Sequence, residues 1–97
     1  MSIVLDQICQ FLGELAPLSL AEEWDNVGLL VGRRSMTVER VMTCLTLSPD
    51  VAEEAADRGA DLVVSHHPIP FRPVRRLTDD TVSGSVLLAL MASNTAV

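Results

Sequence analysis

Apolar residues at Leu5, Ile8, Cys9, Leu12 and Leu15 recur at the spacing of successive helical turns, which predicts an amphipathic helix that Pro17 helps to end. The next segment, SLAEEWDNVGLLVGRRS, loses that period. Within it VGLLV is short, apolar and bracketed by turn residues, and it predicts a strand. RVMTCLTL, rich in β-branched residues, predicts another. A helix start follows directly. The Ser48 hydroxyl can accept a backbone N–H, Pro49 suits the first helical position, and the Asp50 carboxylate favours the positive end of the helix. This second helix carries DVAEEAADR and stops at Gly59, a residue suited to a left-handed cap. Its buried face is expected at Val51, Ala52, Ala55 and Ala56, small enough to sit close against a sheet. ADLVVS shows no polar alternation, the mark of a strand buried on both faces in a parallel sheet. After a loop through Thr81, VSGSVLLALMAS predicts a third helix, with Asp79 and Asp80 near its start and Asn94 at its end.

Strand, helix, strand, helix implies right-handed βαβ units: an α/β fold with a mainly parallel sheet flanked by helices. The 97 residues suffice for one small domain. The closing TAV reads as the opening of a further strand. A parallel sheet of two or three strands leaves an open apolar edge. The expectation is therefore that residues 1–97 form the N-terminal part of a longer, here truncated, α/β domain with no complete second domain. The alternative is that another chain completes the sheet.

Composition narrows the function classes. Hydrophobic residues make up 48% and charged residues 21%, the balance of a globular chain. With one Trp, two Phe and no Tyr, the core must be aliphatic. A net charge of −6 argues against general nucleic-acid binding, which needs a basic surface. All seven basic residues are Arg, so no lysine nucleophile or Schiff base exists in this chain. Cys9 and Cys44 lie in apolar patterns without metal-like spacing and read as reduced, packed thiols. Asp6 and Glu14 interrupt the N-terminal apolar residues, unlike a signal peptide, and VLLALMA is too short to span a bilayer. A cytoplasmic location without membrane association is expected.

The chemistry concentrates in DLVVSHHPIPFRP. The only two histidines, His66 and His67, stand together where the apolar strand ends. In open parallel sheets ligands bind at the carboxyl ends of strands, and neutral imidazole is the commonest metal ligand. Where a strand breaks into a loop, both rings can turn to one pocket and serve two ions, one imidazole each. The alternative is that His66 caps a backbone group and His67 lies on the surface. Two imidazoles are too few for a catalytic site, which needs about three protein ligands and a water per ion. Glu22, Glu23, Asp25, Asp61, Asp79 and Asp80 are the available carboxylates, none at a known ligand spacing. Arg72, Arg75 and Arg76 form a local positive spot able to hold a phosphate or carboxylate, or else to pair with Asp79 and Asp80. Pro68, Pro70 and Pro73 stiffen that loop. Asp25 and Asn26, beside Trp24, can form a turn that aims side chains into a cleft, or simply close a strand over a packed Trp. VGRRS lacks the phosphate-loop pattern.

Three segments, LAEEWDNVGLLVG, SPDVAEEAADRGADLVVSHHP and PFRPVRRL, together resemble the Nif-three-like family of dinuclear metal proteins, whose members are often described as type 2 homologues of GTP cyclohydrolase I. The resemblance runs from about Leu20 to Val97. It implies an α/β fold of two related halves, assembly into a ring-shaped homohexamer, and two divalent metal ions per complete subunit. Residue by residue, His66 and His67 look like the first two metal ligands, one for each ion. The remaining family ligands lie in an H-T-x-x-D segment and a C-terminal H-x-x-x-E pair, neither of which this chain contains; NTAV resembles the strand leading to the first. One departure is visible: many members carry an acidic residue where CLTLSPD places Thr46.

Two functions follow. In the first, the chain is part of a dinuclear metal-dependent hydrolase that directs metal-activated water at a nucleotide-like substrate, with Arg72, Arg75, Arg76, Asp25 and Asn26 as substrate-binding candidates. In the second, it is a non-catalytic metal-binding scaffold or regulatory interaction protein. Imidazole serves Zn, Mn, Fe, Co and Ni alike, so the ligand type does not select the metal.

Overall fold

Two parallel strands and the helix between them organise the molecule. The computed structural model describes residues 2–16, 28–67 and 76–97. Elements follow in the order β1 Ile3–Val4, α1 Leu5–Leu15, β2 Thr37–Val38, β3 Val41–Cys44, α2 Pro49–Asp57, β4 Leu62–Ser65 and α3 Val82–Ala92. The expected strand–helix–strand unit is β3–α2–β4, with β3 and β4 paired in parallel from Val41↔Leu62 to Cys44↔Ser65.

Strand β4 is apolar from Leu62 to Val64 because it faces two cores. Val63 packs with Ala52, Ala55, Val86 and Leu90 of α2 and α3. Leu62 packs on the opposite side with Leu5, Val38 and Ala96. The closing TAV behaves as a strand start. Ala96 bridges Leu62 in parallel, and Val63 N–H donates to the Ala96 carbonyl at 2.8 Å. Thus β4 has backbone partners on both edges.

Both interior helices begin as their side chains require. The Ser48 hydroxyl accepts the Val51 N–H, and the Thr81 hydroxyl accepts the Gly84 N–H. Gly59 ends α2 in the left-handed region at φ 66°, and Asn94 follows α3 at φ 54°. Ala52 and Ala55 are buried as expected, Val51 is half-buried, and Ala56 faces solvent. The apolar stripe of α2 is narrower than the spacing indicates.

Three departures are instructive. Residues 28–31 of VGLLV do not form a regular strand, yet Val31 and Val97 exchange both backbone hydrogen bonds, at 3.1 and 3.0 Å. The RVMTCLTL strand ends at Cys44, earlier than its composition suggests. The antiparallel pair β1–β2 is only two residues long on each side, too short to carry an alternation. It nevertheless starts α1, since Leu5 and Asp6 N–H donate to the carbonyls of Met36 and Arg34, in place of a side-chain cap. The predicted face of α1 is buried at Leu5, whereas Leu12 and Leu15 are exposed. No helix among the described residues is long and apolar enough to cross a membrane. The stop at Pro17, the Trp24–Asp25–Asn26 turn, Glu22, Glu23 and Val27, and the loop carrying Pro68, Pro70, Arg72, Pro73 and Arg75 lie outside the described residues.

Candidate metal centre

The carboxyl ends of β3 and β4 lie side by side, and both chains turn there. Beyond Cys44↔Ser65 the pairing persists for one more step: His66 N–H donates to the Cys44 carbonyl at 3.0 Å and His67 N–H to the Leu45 carbonyl at 2.9 Å. These bonds pin the backbone of the histidine pair to the neighbouring strand end. The Ser65 hydroxyl donates to the His67 carbonyl at 2.7 Å and fixes the turn from the other side. On a regular strand the two rings would point to opposite faces. The turn instead brings them together, with ring centroids 5.0 Å apart and planes tilted by 47°. Both residues are exposed.

The His67 ring has a second tether: its Nδ1 shares a hydrogen bond with the Thr46 hydroxyl at 3.2 Å. The constant offset of the parallel register, carried past Cys44↔Ser65, sets these two residues opposite each other. Among the described residues, Ser65 and Thr46 tether His67 by hydrogen bonds. The alternation of apolar and polar residues gives no reason to single out either; the strand register is the signal that finds Thr46.

A cavity of about 570 Å³ borders this edge, lined by Ile8, Cys9 and Leu12 of α1, by Leu29, and by Val64 and His66. Its walls are mainly apolar, which suits exclusion of water more than phosphate binding. Cys9 and Cys44 are both half-buried free thiols.

Of the other candidates, Arg76 is exposed. Arg72, Arg75, Asp25 and Asn26 lie outside the described residues. Asp61 sits at the opposite end of β4, where its Oδ2 accepts the N–H groups of Glu39 and Arg40 at 2.8 and 3.1 Å. It is a structural clamp, roughly 16 Å along an extended chain from His66. Among the described residues no three His, Cys, Asp or Glu side chains converge on a point that could hold a metal ion. The histidine pair fits the chemistry of a metal donor set as two adjacent imidazoles, one of them oriented through its far nitrogen, and so as part of such a set.

The family described as Duf34/NIF3 (NGG1p interacting factor 3) matches residues 3–97. The chain belongs to this family. Its Duf34/NIF3 relatives include the GTP cyclohydrolase 1 type 2 homolog of Clostridium acetobutylicum, 36% identical over 94 residues, which cover 97% of this chain and 35% of that protein. Reduced HcgD from Methanocaldococcus jannaschii superposes with a TM-score of 0.88 at 30% identity, over 99% of this chain and 38% of that one. A Staphylococcus aureus protein superposes with a TM-score of 0.88 at 32% identity, over 97% of this chain and 30% of that one. The α/β architecture is thus that of the Duf34/NIF3 proteins. The chain spans 22–38% of the length of curated relatives it matches.

Proposed function

We propose that this Duf34/NIF3 chain forms the N-terminal part of a dinuclear metal-dependent hydrolase acting on a nucleotide-like substrate. The observation that carries the reading is the pair of exposed imidazoles, 5.0 Å apart, at the carboxyl end of a parallel strand. His66 and His67 would each give one imidazole to a different divalent ion, with the family's H-T-x-x-D and H-x-x-x-E segments supplying the other ligands. Divalent ions held there would act as Lewis acids, polarising a carbonyl or phosphoryl oxygen and making water more acidic.

The chain's own residues hold and orient. The bonds from His66 N–H to Cys44 and from His67 N–H to Leu45 hold both residues at the sheet edge. Arg76, with Arg72 and Arg75, gives the acidic protein a local cationic spot suited to substrate phosphates. The names of the relatives, GTP cyclohydrolase 1 type 2 homolog among them, favour a purine nucleotide whose ring is opened by water. Self-association into a homohexamer and a cytoplasmic location belong to the same reading.

The test uses the complete polypeptide. Replacing His66 and His67 by Ala is expected to remove tight metal uptake while the circular dichroism spectrum is retained; unchanged metal content by elemental analysis would sink the ligand assignment. Incubation with GTP and Mn²⁺ or Zn²⁺ is expected to give a ring-opened product. Two bound metals per chain with no product would favour the non-catalytic scaffold instead.

A further inference from the structure

We infer that Thr46 is a positioning residue for His67: its hydroxyl anchors Nδ1, and when Nδ1 carries the proton it accepts that hydrogen and leaves Nε2 as the metal-binding nitrogen. The inference deepens the reading of His67 as a metal ligand and rests on it.

The two histidines are held unequally. His67 is fixed at three places. Its N–H donates to the Leu45 carbonyl at 2.9 Å, its carbonyl accepts the Ser65 hydroxyl at 2.7 Å, and its ring Nδ1 meets the Thr46 hydroxyl at 3.2 Å. The backbone and ring tethers reach consecutive residues, Leu45 and Thr46, so together they close a small loop that fixes the ring direction. His66 has only the backbone tether to Cys44 among the described residues.

A neutral imidazole presents one N–H and one lone pair. With the proton on Nδ1, the ring donates to the Thr46 oxygen, and Nε2 offers its lone pair outward. With the proton on Nε2, Thr46 donates to Nδ1, and the outward nitrogen bears a hydrogen and is unsuited to ligation. Metal-bound histidines usually donate their second ring N–H to an oxygen, which fixes the tautomer and raises ligand basicity. Thr46 is placed to be that oxygen. The side chains beside it in sequence, Leu45 and Leu47, have no polar atom to offer.

The experiment compares Thr46→Val, Thr46→Ser and His67→Ala in the complete polypeptide. Valine keeps the branched shape of an exposed residue, so folding is not at stake. Two readouts are taken: Zn²⁺ affinity by competition with a chromophoric chelator, and the His67 ring ¹⁵N shifts of the metal-free protein by NMR. Thr46→Val is expected to weaken one of the two ions about 10-fold and leave the other unchanged. It also removes the hydrogen bond at Nδ1, read as a change in the His67 ring ¹⁵N shifts. Thr46→Ser restores both properties. Loss of metal in His67→Ala, with unchanged affinity and unchanged His67 ring ¹⁵N shifts in Thr46→Val, overturns the positioning role alone. Equal weakening of both ions overturns it too. Unchanged metal in His67→Ala overturns the ligand reading and the role of Thr46 with it.

Discussion

Thr46 and Thr95 illustrate how one side chain type takes different work from its surroundings. Thr46 is exposed at a strand end, and its hydroxyl faces an imidazole. Thr95 is 2% exposed, and its hydroxyl donates to the Ala60 carbonyl at 3.0 Å while sharing a hydrogen bond with the Ser93 hydroxyl at 2.8 Å. That network ties the segment after α3 to the turn before β4. Replacing Thr95 by Val keeps the volume but leaves the Ala60 carbonyl without this donor. A loss of about 1–3 kcal/mol in unfolding free energy is expected, read by urea denaturation. An unchanged midpoint and slope would show that the Ala60 carbonyl finds another partner.

At the scale of elements, α3 is apolar on nearly every side, so its sequence does not say which face is buried. Contact decides. Gly84, Val86, Leu87 and Leu90 are buried, whereas Val82 and Met91 are exposed. Gly84 marks the tightest approach: a Cβ there would collide with the carbonyl oxygen of Thr78, a backbone atom unable to swing aside. Gly84→Ala is therefore expected to destabilise by about 1–3 kcal/mol despite the better helix propensity of Ala. A thermal midpoint at or above wild type would contradict the tight packing. The second helix was legible in more detail. Ser48, Pro49 and Gly59 act locally, on backbone groups within a turn, and local rules suffice to place them. The start of α1 was not, because Leu5 and Asp6 bond to carbonyls about thirty residues away in sequence.

Across the whole molecule, apolar surface remains uncovered among the described residues. Phe11 and Leu15 on α1 are 59% and 68% exposed, and Val41 and Leu45 on β3 and its extension are 52% and 65% exposed. Surfaces of this kind favour association. The 97-residue chain expressed alone is expected to self-associate at micromolar concentration, with Leu15→Glu reducing the effect, as followed by sedimentation velocity. A monodisperse monomer that unfolds cooperatively would count against it.

The sequence by itself determined the α/β class, the parallel strand pair, the caps of α2 and the position of both histidines at a strand end. Each is written in local spacing or in residue type, and backbone hydrogen bonding enforces it. Tertiary structure alone decided which atoms stand around the pair. The offset between β3 and β4 brings Thr46 to His67, the turn swings two rings of opposite strand parity to within 5.0 Å, and Asp61 is carried to the far end as a clamp. These depend on register, and register is set by the two cores on either side of β4, a property of packed faces rather than of any one segment.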